Sequence, residues 1–207
     1  EHLGGFQPHG ESLKTARSLP PNDVLRLLRA ALEGLEVLHG YQPPVIHRDL
    51  TPNNLFLEGK QVERLKILDF GLARFGTATA SMMGGTFAFA APEQLGYYDQ
   101  HITPATDFYT LGASLYTALT GISPLNAIQR HAEQSPISLP SNIDPTLARL
   151  IQFCLEMDPQ RRPQSVADIR KRLPADTPPP PSDPTEKKSG LWKLWRKVYS
   201  GPRILDS

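Results

Sequence analysis

The stretch VIHRDLTPNN, residues 45 to 54, places His47, Arg48, Asp49 and Asn54 in one short segment behind an apolar, helix-like run. A carboxylate there is ionised at neutral pH and short enough to be held rigidly. Carboxylate and carboxamide oxygens also suit hard cations. Read alone, the tetrapeptide HRDL is a weak signal, because a charged turn between two core elements has the same composition. Its meaning depends on what positions it.

The elements around it follow from periodicity. Val24, Leu28, Leu32, Leu35 and Leu38 recur at helical spacing between Asn22 and His39, with Asn22 or Asp23 expected to cap the helix start. Leu55 to Leu57 and Leu65 to Leu68 are short apolar runs around GKQ, the pattern of a small hairpin. Helical patterns return at Ala105 to Leu119, Pro145 to Met157 and Ser165 to Leu173. Residues 1 to 20 read as loop, with a short helix near Ser12 to Arg17. The globular part is therefore expected to be mainly α.

Composition bounds the rest. The chain has 207 residues, is 39% hydrophobic and carries a formal net charge of +1, enough for one core and too balanced for a protein that coats nucleic acid. The single cysteine, Cys154, excludes an intrachain disulfide and fits a reducing cytoplasm. No run is apolar and long enough for a transmembrane segment. Residues 174 to 186, PADTPPPPSDPTE, hold six of the 21 prolines, so 174–190 read as a disordered linker. Beyond it, 191–207 form a basic tail in which Leu191, Leu194, Trp195 and Val198 share one helical face with Lys193, Arg196 and Lys197 interleaved. Residues 191 to 199 suit an anionic membrane surface or a partner protein.

Order and spacing raise the loop above a charged turn. His47-Arg48-Asp49-Leu50, three residues and Asn54 are followed by Asp69-Phe70-Gly71 after a short apolar run, then by Ala91-Pro92-Glu93. This set resembles the signature of the eukaryotic-type Ser/Thr protein kinases, and within them the C-terminal lobe of the catalytic domain. Across residues 1–173 the resemblance implies a helical lobe with a small β hairpin at the catalytic loop. It also implies ATP-dependent phosphoryl transfer to the Ser or Thr of a protein substrate, with ATP and Mg2+ as cofactors. Asp49 is then the group that accepts the hydroxyl proton, and Asn54 and Asp69 hold magnesium. Glu1 and Leu3, in a hinge at residues 1–5, and Phe56 meet the adenine. Thr86, in GTFAFAAPE, bonds Asp49 and favours an aliphatic hydroxyl, while Arg48 would pair a phosphate on Thr77, Thr79 or Ser81. Asp107 accepts hydrogen bonds from the catalytic-loop backbone, and Glu93 forms a buried pair with Arg162.

Two departures qualify the match. Thr51 stands where these kinases carry a lysine toward the transferred phosphate. Nothing matches the Gly-rich loop, the strand lysine or its glutamate partner, so the N-lobe is expected to be absent and this stretch inactive alone. An alternative is a pseudokinase or scaffold that binds a partner protein through the lobe. A small-molecule phosphotransferase is a third reading, against which the APE segment with Thr86 argues.

Overall fold

The computed structural model describes residues 10–13, 18–59, 61–69, 87–98 and 101–174. The chain divides into two compact units, Glu1–Leu173 and Pro174–Ser207. The linker and the tail expected beyond residue 174 lie outside the described residues.

Among the described residues five α-helices carry the first unit: α1 (Pro21–His39), α2 (Pro104–Thr120), α3 (Ala127–Glu133), α4 (Pro145–Cys154) and α5 (Val166–Arg170). Val24, Leu27, Leu28, Ala31, Leu32 and Leu35 form the buried stripe of α1, the spacing of an amphipathic helix against a core. Its start differs from the sequence expectation. Pro20 is the N-cap and makes no side-chain bond, and Pro21 fills the first helical position. A proline there has no N–H to leave orphaned. Asn22 and Asp23 therefore lie inside the first turn, where Asp23 takes an ion pair from Arg26 at 3.1 Å.

Helix α2 is the centre of the unit: thirteen of its residues, from Ala105 to Leu119, are buried. Gly112 lets α4 approach, because a Cβ at that position would come within 2.7 Å of the Cys154 Cβ. Helix α4 starts where Asp144 accepts from the amides of Thr146 and Leu147 at 2.9 and 3.1 Å. It ends at Cys154 rather than Met157, and α5 is likewise shorter than expected. Among the described residues no helix is long and apolar enough to cross a membrane.

The expected hairpin is present as β2 (Leu55–Glu58) and β3 (Leu65–Ile67), antiparallel with Leu55 opposite Ile67 and Leu57 opposite Leu65. A third strand, β1 (Gly10–Ser12), pairs antiparallel with the other edge of β2, Ser12 facing Phe56. Residues 10–12 are thus strand rather than loop; the short helix expected near Ser12 to Arg17 falls mostly on residues outside those described. The GES sequence has no strand pattern of its own; pairing with an open edge supplies what propensity does not. The sheet packs on α1, where Gly34 gives room to Ile67: a Cβ would meet its Cδ1 at 2.9 Å.

Candidate active site

The loop from His47 to Asn54 runs between α1 and β2, and α2 grips it from behind. Asp107, fully buried in the first turn of α2, accepts from the amides of His47 (2.9 Å) and Arg48 (2.7 Å). These are the bonds the sequence implied for it. A third contact was not expected: His39, at the end of α1, places Nε2 2.8 Å from the Asp107 Oδ2. Two turns further along α2, the Ser114 hydroxyl donates to the Leu50 carbonyl at 2.6 Å. From the opposite side Gln94 donates to the Arg48 carbonyl and accepts from the Ala91 amide, both at 2.9 Å.

These anchors hold Arg48 at φ 71, and Asp69 has φ 56. Backbone of that hand is uncommon for non-glycine residues and persists where surroundings over-determine it. Fully buried His47 bridges the two segments. Its Nε2 meets the Leu68 carbonyl at 3.0 Å and its Nδ1 accepts from the Asp49 amide at 3.3 Å. A carbonyl only accepts, so the partners fix a tautomer with the proton on Nε2. The Leu68 amide donates to the Asn54 carbonyl at 2.8 Å, tying the end of β3 to the loop.

Asp49 projects from this frame. The Asn54 amide nitrogen donates to both the Asp49 carbonyl and its Oδ2, each at 2.8 Å. The other carboxylate oxygen, Oδ1, is buried and has no hydrogen-bond partner. Burial pushes the Asp49 carboxyl above the usual carboxylate range, aided by the nearby Asp69 charge; the Asn54 amide, His47 and the Thr51 hydroxyl pull the other way. Because Asn54 spends its nitrogen on Asp49, its amide oxygen remains for another partner. Thr51 is buried, and its carbonyl accepts from the Asn54 amide at 2.9 Å. Phe56, half-buried on β2, stands opposite Lys66 and Ser12. Glu1, Leu3, Phe70, Gly71, Thr86 and the hydroxyls of Thr77, Thr79 and Ser81 lie outside the described residues.

Beside the loop, Glu93 and Arg162 form the buried pair expected from sequence. The guanidinium donates to both carboxylate oxygens, at 2.8 and 2.9 Å. It also reaches the carbonyls of Ala105, Glu156 and Met157 and lies over the Tyr109 ring at 4.7 Å. Thr106 adds a hydroxyl bond to Glu93 at 2.8 Å.

Of the residues missed from sequence, Ser114 and Gln94 bond backbone and His39 bonds a distant carboxylate. Ser114 had a readable signal, since a position seven after Asp107 returns to nearly the same face of a helix. His39 and Gln94 had none.

The fold and this loop define a class that comparison makes explicit: the family model for the protein kinase domain matches residues 6–172, and the chain belongs to that family. It is 32% identical over 207 residues to serine/threonine-protein kinase A of Synechocystis sp., covering 86% of this chain and 39% of that protein. It is 30% identical over 195 residues to the serine/threonine-protein kinase PknA of Mycobacterium tuberculosis, covering 84% and 44%. A probable serine/threonine-protein kinase of Dictyostelium discoideum, qkgA, is 32% identical over 163 residues, 72% of this chain and 10% of that protein. The chain spans less than half the length of each.

Proposed function

We propose that the protein transfers a phosphoryl group from ATP to the Ser or Thr hydroxyl of a protein substrate, with Asp49 accepting the hydroxyl proton. The observation that carries this reading is the Asp49 carboxylate itself, held through Oδ2 while its buried Oδ1 lacks a partner. A raised carboxyl pKa makes it a stronger base than a solvated aspartate. The hydroxyl oxygen bonds to the γ-phosphorus as the bond to ADP breaks, and the proton passes to Asp49.

Among the described residues no group of three or more His, Cys, Asp or Glu side chains could hold a metal ion. The free amide oxygen of Asn54, with Asp69, nevertheless suits magnesium, which commonly takes one or two protein ligands and completes its shell with phosphate and water. When bound, Mg2+ would neutralise phosphate charge. Glu1, Leu3 and Phe56 would meet adenine; Thr86 would favour an aliphatic hydroxyl, and Arg48 and Glu93 would order the segment that receives the substrate. The single cysteine suits a reducing compartment such as the cytoplasm.

The sequence matches no Gly-rich loop or strand lysine, so we read residues 1–173 as the C-terminal lobe, and these 207 residues alone should not transfer phosphate. A second reading, a scaffold binding a partner protein, is favoured by Thr51. Buried and neutral, it offers the phosphate no cation. A fusion that supplies an N-terminal kinase lobe separates the two readings. Magnesium-dependent transfer from labelled ATP to a generic Ser/Thr protein supports the enzyme, with Asp69→Asn weakening the metal dependence. Absence of transfer alongside retained fold supports the scaffold.

A further inference from the structure

A second polar site lies away from the catalytic loop. A cavity of about 490 Å3 opens between α3, the segment after it, and the end of α4, within the size range of small-molecule sites. Ile137, Leu155 and Met157 give it an apolar wall, and Arg130, on α3, gives it a cation.

Arg130 is 7% exposed. Its Nη1 donates to the Leu155 carbonyl at 2.8 Å and the Tyr109 hydroxyl at 3.3 Å. Its Nε is buried with no partner, and among the described residues no carboxylate lies within ion-pair distance of it. Arg162, which lies over the ring of the same tyrosine, has both oxygens of Glu93. A guanidinium cannot relieve burial by losing its proton, and a buried charge is normally matched by a partner. Arg130 has only a carbonyl and a phenol. Among the described residues the other charged group on the cavity wall is Glu156, and the titratable His131 also lines it. Glu156 spends its backbone carbonyl on Arg162 and makes no ion pair with Arg130.

We propose that this cavity binds a small organic carboxylate with a short apolar body, its charge on Arg130 and its chain against Ile137, Leu155 and Met157. The carboxylate supplies the missing counter-charge, and the apolar wall selects it over an inorganic anion.

The test is a titration of the 15N-labelled chain with sodium butanoate, read at the Arg130 Nε–H and the Leu155 amide. Butanamide and sodium chloride at matched ionic strength are the controls. Butanoate should shift both signals saturably, with half-saturation on the order of 1 mM, and neither control should do so. Glu156→Gln, which removes the competing charge, should tighten binding several-fold, and Arg130→Gln should abolish it. Arg130→Gln also loses the bond to Leu155 and could destabilise the helix pair, so Glu156→Gln carries the decision if that variant does not fold. No saturation with butanoate, equal shifts with butanamide or chloride, or unchanged or weaker binding in Glu156→Gln would overturn the proposal.

Discussion

Asp107, Glu93 and Asp49 are carboxylates at the catalytic loop that the structure treats differently. Behind the loop, both oxygens of Asp107 and both of Glu93 are taken, by backbone amides, a histidine, a hydroxyl and a guanidinium. On the loop's face, Asp49 has one oxygen held and one buried oxygen open. Satisfied buried groups fix a fold; an unsatisfied one is retained where function needs it. The framework carboxylates should therefore matter to stability, and Asp49 to chemistry.

The largest break should come from Arg162→Met. It strands the Glu93 charge in the core, and loss of one partner from a buried pair costs about 3–5 kcal/mol. Urea denaturation would show this as a lower midpoint at unchanged slope. Adding Glu93→Gln should restore part of the loss, because the stranded charge is gone.

Asp107→Asn should cost less, about 1–3 kcal/mol, since one amide oxygen remains and only the second loop N–H faces a donor. Amide exchange of His47 and Arg48 should accelerate more than that of the α4 core. Ser114→Ala is the finer version of the same cut. It leaves the Leu50 carbonyl without its hydroxyl donor at about 1 kcal/mol.

Asp49→Asn should behave oppositely in stability. Its carboxyl is raised above 3.8 in the folded chain, chiefly by burial. The folded state therefore holds the proton more tightly than the unfolded state, and stability present below pH 3.8 is lost as pH rises through the folded pKa. A neutral amide escapes that loss. The variant should match the parent near pH 3 and melt no lower, or slightly higher, at pH 7. A melting temperature that falls at pH 7 would place Asp49 in the framework instead.

Legibility in the sequence followed the same division. Asp107, Glu93 and Arg162 could be placed because motif order fixed which segments meet, and the buried bonds then follow from charge and size. Helix α3 was readable but missed. AIQRHAE is short and polar, yet Asn126 and Gln129 form a capping box, with reciprocal bonds at 3.0 and 3.2 Å. Strand β1 was not readable, because Gly10, Glu11 and Ser12 gain strand geometry only from pairing with β2. Gln94 and His39 escaped for a related reason. One bonds backbone and the other a distant carboxylate, and neither kind of partner leaves a pattern in local sequence.

The most direct test of the account is the rate of phosphoryl transfer by Asp49→Asn, in the fusion that supplies the N-terminal lobe. Positioned proton acceptors contribute about 10²–10⁴ in rate, so kcat should fall by that factor while the circular dichroism spectrum and nucleotide affinity are kept. A variant that transfers phosphate at close to the parent rate would contradict it, because the open Oδ1 would then accept no proton.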